Sequence, residues 1–358
     1  MKIALANNLY FPYNRGGAEK VVSDIIADLK KTGHEVFLIA TYPPHRPKPE
    51  PGDLKIYWLK SNYYNLGGKN FLNRVIWQIS NLIAGRKYRL IKKILEQEKP
   101  DLLLTHNIMG LGFRLPKLVK RLKITHEHFR HDVQLLHPSG LMMVGQEKKI
   151  DSLPAKLYQN IIRHYFASPR RVISPSHWLL EQHRQRGFFP DSQLSIQPWS
   201  VNKQNTDANQ RPPLNPNNQK NLLFVGQIEA HKGILFLIDA WKKLPDFYKS
   251  RGHLIIVGDG SQLKNIESLA QDEQSIEMRG RLEAGALTDT LKSSHYLIVP
   301  SLCYENSPTI ITQAQELKLP IIASRLGGIP EMMGDSDILF SAGQTEELLK
   351  VLQDILKK

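Results

Sequence analysis

Short apolar runs, rich in β-branched and aliphatic side chains, alternate with longer amphipathic stretches from one end of the chain to the other. In the first two hundred residues the runs are KIALAN, EVFLIAT, KIYWL, DLLLTHN, KITHEHF, RVISPS and QLSIQPW. Beyond residue 220 they are NLLFVG, HLIIVGDG, IEMRG, YLIVPS, PIIAS and DILF. Runs of this length between helical patterns predict βαβ units and parallel sheets. The two sets are separated by NKQNTDANQRPPLNPNNQK at 202–220, dense in Asn, Gln and Pro and nearly without apolar side chains, which is linker composition. The chain is thus expected to divide into an N-terminal Rossmann-like domain at 1–200, a polar linker at 201–220 and a C-terminal Rossmann-like domain at 221–358. Two such α/β halves would leave a cleft between the carboxyl ends of their sheets, where open parallel sheets bind ligands.

The 358 residues are 41% hydrophobic and 23% charged, enough for two cores of ordinary size. Charge changes the picture more. Residues 1–200 hold 31 Lys and Arg against 15 Asp and Glu, a net +16, while 201–358 hold 17 against 19, a net −2. A basic front half points to an anionic partner, either phospholipid headgroups or a phosphorylated or acidic acceptor. No helix-turn-helix, zinc-finger or RNP-like signature supports nucleic acid. The stretch NFLNRVIWQISNLIAGRKYRLIKKILEQEKP has helical periodicity and gathers Arg86, Lys87, Arg89, Lys92 and Lys93. It suits an amphipathic segment lying on a membrane surface, or equally a helix whose Ile and Leu face the core with its cations in water. The single cysteine, Cys303, excludes an internal disulfide, and no Cys/His spacing suggests zinc. The start, MKIALANNLYFP, reads as a first strand and not as a signal segment, and no run approaches the ~20 apolar residues of a membrane span. A soluble, cytoplasmic protein is expected, either free or peripheral on the inner face of the membrane.

Candidate chemistry gathers in a few loops. In YENSPTIITQAQELKLPIIAS, Ser307 reads as a helix cap and Pro308 as the first helical residue, which leaves Glu305 in the loop before the helix. Gln313 follows six residues past that cap, roughly 9 Å along the axis. In FVGQIEAHKG a strand gives way to Gly226, Gln227 and then Lys232 at a helix start, a compact cation suited to a diphosphate leaving group. Gly16 and Gly17 in NRGGAEK, and Gly327 and Gly328 in ASRLGGIPEMM, are places where bare amides could meet phosphate or sugar oxygens. The stretch KITHEHFRHDVQLLHPSG holds His126, His128, His131 and His137 with Asp132, but their spacing is irregular for a metal set. His126 and His128 share one strand face, which favours packing.

Taken together and in order, RGGAEKVV, HD, VISPSHWL, FVGQIEAHKG, IIVGDG, IVPSLCYENSP and PIIASRLGGIPEM run over nearly the whole chain. With them the sequence resembles the retaining glycosyltransferases of family four, group 1 type, which have the GT-B fold and use sugar nucleotides. The resemblance implies two Rossmann-like parallel-sheet domains, the first holding the acceptor. Glu305 matches the first acid of the family's E-x7-E motif, which hydrogen-bonds the donor sugar. The second acid, which grips both ribose hydroxyls, falls at Gln313, and an amide offers only one accepting oxygen. Losing one charge-assisted contact there would weaken donor binding by about 1.5 to 3 kcal/mol; Glu316, one turn on, points in another direction. The usual basic residue of the first back-half turn is Gln227 here. His131 falls in the HD position near the sugar's C6, and Arg281 in a loop by the nucleobase. Asn306, Ser307, Pro308 and Thr309 sit at the helix start beside the phosphates. The donor would be a UDP, GDP or other nucleotide sugar, the acceptor a cell-surface glycan or a lipid-linked glycan, and no metal or other cofactor is implied. Many relatives continue past the helix TEELLKVLQDILKK, so looser restraint between domains, or help from another subunit, is expected. Gln313, Gln227 and that ending leave a second reading, a catalytically silent GT-B-like subunit that binds a nucleotide or a partner enzyme. A sugar-nucleotide epimerase shares the two-domain shape but not the motif order.

Overall fold

A computed structural model describes residues 1–66, 68, 70–83, 85–167, 169–199, 212–214 and 218–357. Most of the expected linker, 201–211 and 215–217, lies outside the described residues. The chain forms two compact units, one of Met1–Leu141 and Lys148–Pro198, the other of Met142–Glu147 and Trp199–Lys358. The second unit thus takes in six residues from the middle of the basic half.

The first unit holds a seven-stranded parallel sheet of β1 (Lys2–Ala6), β2 (Glu35–Tyr42), β3 (Lys55–Lys60), β4 (Leu102–Thr105), β5 (Thr125–Phe129), β6 (Arg171–Ser174) and β7 (Gln193–Ile196), in the order β3-β2-β1-β4-β5-β6-β7. Its helices are α1 (Gly17–Lys31), α2 (Phe71–Leu82), α3 (Arg86–Glu98), α4 (Leu115–Arg121), α5 (Leu153–Phe166) and α6 (His177–Arg184). The central strands are buried along almost their whole length, which is why they read as unbroken apolar runs. Edge strand β3, KIYWLK, is only partly covered, with Leu59 its one buried side chain.

The second unit repeats the plan with β8 (Lys220–Val225), β9 (Gly252–Val257), β10 (Ile276–Gly280), β11 (Tyr296–Val299), β12 (Ile321–Ser324) and β13 (Ile338–Phe340), ordered β10-β9-β8-β11-β12-β13. The helices are α7 (Ile234–Lys242), α8 (Asp246–Lys249), α9 (Leu263–Ala270), α10 (Ala284–Lys292), α11 (Thr309–Glu316) and α12 (Thr345–Lys357). Strand periodicity of two splits its core cleanly. Leu222, Phe224, Leu254, Ile256, Ile298 and Ile322 face Trp241 of α7, Ile266 of α9 and Leu352 of α12. Leu223, Ile255, Val257, Leu297, Val299 and Ile321 face Leu291 of α10 and Ile311 of α11. Both sheets therefore have the doubly wound Rossmann order, with a switch point between β1 and β4 in one and between β8 and β11 in the other. These are the two Rossmann-like parallel-sheet lobes expected from the sequence. Among the described residues no helix is long and apolar enough to cross a membrane.

At the amino ends of the first sheet, Glu98 is nearly sealed, its side chain 3% exposed, and it accepts hydrogen bonds from Lys2 at 2.8 Å, Lys55 at 2.7 Å and the Tyr57 hydroxyl. The hydrogen bonds from Lys2, Lys55 and Tyr57 hold its carboxyl down to about 2. That lies below the ordinary value of about 4.3, so the stabilisation is complete above pH ~5 and fades as pH falls towards 2. Glu98→Gln should therefore lower unfolding free energy by about 2 kcal/mol at pH 7. In urea titrations its difference from wild type should shrink steadily between about pH 5 and pH 3.

Candidate active site

Where β8 and β11 lie side by side, the crossovers that follow them leave in opposite directions, and the loops at their carboxyl ends are where open parallel sheets bind ligands. After β8 the chain makes one 3-10 turn, Ala230–Lys232, before α7. After β11 it runs through 300–308 to α11. Lys232 and Glu305, 73 positions apart, meet here: the Lys232 ammonium donates to Glu305 Oε1 at 2.6 Å, and Ser301 Oγ donates to the same oxygen at 2.9 Å. Burial pushes the Glu305 carboxyl up, but the Lys232 charge and the hydrogen bonds from Lys232 and Ser301 outweigh it and hold the group below its usual range. Burial likewise pulls Lys232 down, and the Glu305 charge more than restores it. Both are ionised at neutral pH. The side chains keep 27% and 14% exposure, so the pair is within reach of a ligand. Glu305 Oε2 accepts no hydrogen bond from the described residues.

Close backbone packing fixes the two loops. Gly233 has φ +76°, and a Cβ there would overlap the carbonyl oxygen of Pro300; Leu302 N donates to His231 O at 2.9 Å. Gly327, at φ +60°, leaves no room for a Cβ against the Glu305 carbonyl, which accepts from Gly328 N at 2.8 Å. On the other side Met142–Glu147 straps the loop. Met143 bridges Cys303 in antiparallel fashion, Val144 N donates to Leu302 O at 3.0 Å, and Tyr304 N donates to Met142 O at 2.8 Å. The Tyr304 hydroxyl reaches Glu147 Oε1 at 3.1 Å.

Helix α11 begins at Thr309, not at Pro308 as the sequence suggested. Pro308 is the cap, with extended ψ of 118°, and the Ser307 hydroxyl donates to Met332 Sδ at 3.6 Å instead of capping. Gln313 lies on the second turn, half-buried, facing away from the core residues Ile311 and Ala314, and its amide makes no hydrogen bond to a described residue. Asn306 is buried, Gln227 half-buried, and Arg281 exposed just past β10. Several glycine amides are already taken up: Gly226 N donates to Val257 O at 3.0 Å, Gly328 N to Glu305 O, and Gly16 N to Glu19 Oε2 at 2.8 Å. Gly17 opens α1, whose first-turn amides have no acceptor within the helix.

In the first unit, His131 follows β5, its Nε2 2.8 Å from Nδ1 of buried His106, and burial holds its pKa to about 3. It is a neutral imidazole. His126 Nε2 and His128 Nδ1 both turn to the Thr105 hydroxyl, at 2.8 and 2.9 Å, while the His137 ring lies 2.7 Å from Ser139 Oγ. The four histidines do not converge, and among the described residues no three metal-ligating side chains cluster.

Residues 15–204 match the family described as Glycosyltransferase Family 4, and residues 219–358 match Glycosyl transferases group 1. The chain belongs to glycosyltransferase family 4. Its two lobes are those of the GT-B fold, and fold and family together make it a glycosyltransferase-type enzyme. An uncharacterised 42.6 kDa protein of the cps region of Klebsiella pneumoniae is 25% identical over 93% of this chain and 87% of its own. Sucrose-phosphate synthase from Thermosynechococcus elongatus shares the fold with a TM-score of 0.73 at 19% identity, over 100% of this chain and 90% of that one. The Anabaena protein HepE, solved with UDP and glucose, does so with a TM-score of 0.64 at 16% identity, over 100% and 90%.

In this family 4 chain, sequence reasoning assigned no role to Ser301, Gly233, Tyr304 or the Met142–Glu147 strap. Ser301 carried a weak signal, lying four residues before Glu305 at a strand end; the strap carried none. Lys232→Met and Glu305→Gln should each destabilise the fold by leaving the other charge buried without its partner. A double-mutant cycle by urea unfolding should return a coupling of about 1 to 3 kcal/mol between them.

Proposed function

We propose that this enzyme transfers a glycosyl group from a nucleoside-diphosphate sugar to a glycan or lipid-linked acceptor in the cytoplasm, with retention at the anomeric carbon. The observation that carries the reading is the Lys232–Glu305 pair at the switch point of the second sheet. Glu305 Oε2 accepts from hydroxyls of the donor sugar and orients it. As the glycosidic C–O bond breaks, its electron pair passes to the diphosphate oxygen, and the Lys232 ammonium, held in place by Glu305, meets the charge that grows there without a metal. The departing phosphate accepts the acceptor's hydroxyl proton as the acceptor oxygen bonds to the anomeric carbon on the same face. Gln313 touches the ribose, Arg281 lies by the base, and Asn306, Ser307, Pro308 and Thr309 with Gly327 border the phosphates. From the acceptor-side domain, residues 1–200, Gly17 supplies amides and neutral His131 hydrogen-bonds the sugar. The HepE complex with UDP and glucose supports a nucleotide-sugar donor, and the relative from a cps region supports an acceptor in surface-polysaccharide synthesis.

Calorimetry across UDP, GDP and ADP sugars should find one donor that binds. With it, Glu305→Ala should abolish transfer in protein that is less stable but still folded at 25 °C, and Lys232→Ala should lower kcat about 10²- to 10³-fold. Gln313→Glu should tighten donor binding about tenfold or more. Because burial holds His131 to about 3, donor binding should show no transition between pH 6 and 8 that His131→Asn removes. Absence of binding by every donor would favour the silent-subunit reading instead.

A further inference from the structure

Helix α2 is docked in the reverse of the usual sense. Amphipathic helices of globular proteins turn their apolar stripe inward. Here Leu72, Val75, Ile76 and Ile79, which span a face about 100° wide at 3.6 residues per turn, are all exposed, Leu72 by 65%, Ile76 by 55% and Ile79 by 50%. Ile83, just past the helix, is exposed as well. The inward face carries Trp77 and Asn81. Asn81 fastens it, Oδ1 accepting from Gly110 N at 2.8 Å and its carbonyl from Phe113 N at 2.9 Å, while Gln78 Nε2 donates to Pro138 O at 3.3 Å. One indole and a set of polar contacts hold the helix, and its aliphatic side stands in water.

The charge around it is of one sign. Residues 54–95 include nine Lys and Arg and no Asp or Glu. Helix α3 starts four positions after α2 ends and presents Arg86, Arg89 and Lys93 on one exposed face, with exposed Leu90 beside them. None of these three cations pairs with a carboxylate among the described residues. A second copy of the chain is a poor occupant, because a two-fold contact would set the cations of one protomer near those of the other. An aliphatic stripe beside unneutralised cations suits a partner that is apolar inside and anionic at its surface.

We propose that α2 and the start of α3 dock on an anionic lipid bilayer, the aliphatic face of α2 entering the acyl boundary while Arg86, Arg89 and Lys93 meet lipid phosphates. None of these residues is assigned to the donor site, and the proposal does not rest on the transfer reaction.

Sedimentation with phosphatidylcholine vesicles containing about one-third phosphatidylglycerol should pellet the protein, and phosphatidylcholine alone should do so much less. Ile76→Ser combined with Ile79→Ser should weaken partition at least about tenfold. Arg86→Gln, Arg89→Gln and Lys93→Gln together should do the same and erase the preference for phosphatidylglycerol. Since these side chains are exposed, thermal midpoints should stay within about 2 °C of wild type. Donor turnover on a water-soluble acceptor should also hold, so a failure of membrane docking is read apart from a failure of the catalytic reading. Wild-type protein left in the supernatant with anionic vesicles, or a serine pair that pellets like wild type, overturns the proposal. So does a wild-type dimer that the serine pair splits into monomers, which would make a second copy the occupant.

Discussion

An ammonium and a carboxylate 2.6 Å apart, on loops leaving two adjacent strands, set the terms for the second unit. Either charge alone would be costly there: each is kept ionised by the other against a burial that disfavours the charged form of both. Holding them together requires the β11 loop to approach the β8 loop and the loop after β12 backbone to backbone, which only glycine permits at 233 and 327. The strap from Met142 to Glu147 then pins the far side of the carboxylate's loop. Site geometry here is a property of the sheet's winding order, since β8 and β11 are neighbours only because the crossovers reverse between them.

The same economy runs through the first unit. His131 lies against a second buried histidine, and burial keeps it uncharged. His126 and His128, which looked like potential ligands by count, serve a single threonine hydroxyl inside the sheet. Charge is instead concentrated on α3, with Arg86, Arg89, Lys92 and Lys93 exposed.

The central strands were legible because they are buried on both faces, and a continuous apolar run has few other places to go. The doubly wound class followed from the alternation with helices, and the candidate loops followed from their glycines at strand ends. Three things were not legible. The pairing of residues 232 and 305 is a contact across 73 positions, specified by strand order and by no local pattern. The start of α11 was misplaced because a serine before a proline looks like a cap, whereas this hydroxyl finds a methionine sulfur brought in from the loop after β12. For α2 the periodicity revealed a stripe but not its direction, since an aliphatic face reads the same whether it meets a core or a solvent.

The six residues Met142–Glu147 also bear on how such a protein can be taken apart. They belong by sequence to one half and by packing to the other, completing a small antiparallel bridge beside Glu305. A fragment cut at the polar connection would lack the chain that braces its own acidic loop. Chimeras that exchange whole halves between relatives would mismatch that brace, whereas exchanges that carry the hexapeptide along with the second half would preserve it. The modular boundary of this fold is therefore discontinuous, and recombination that respects only the linear order of the chain would separate a residue from its support.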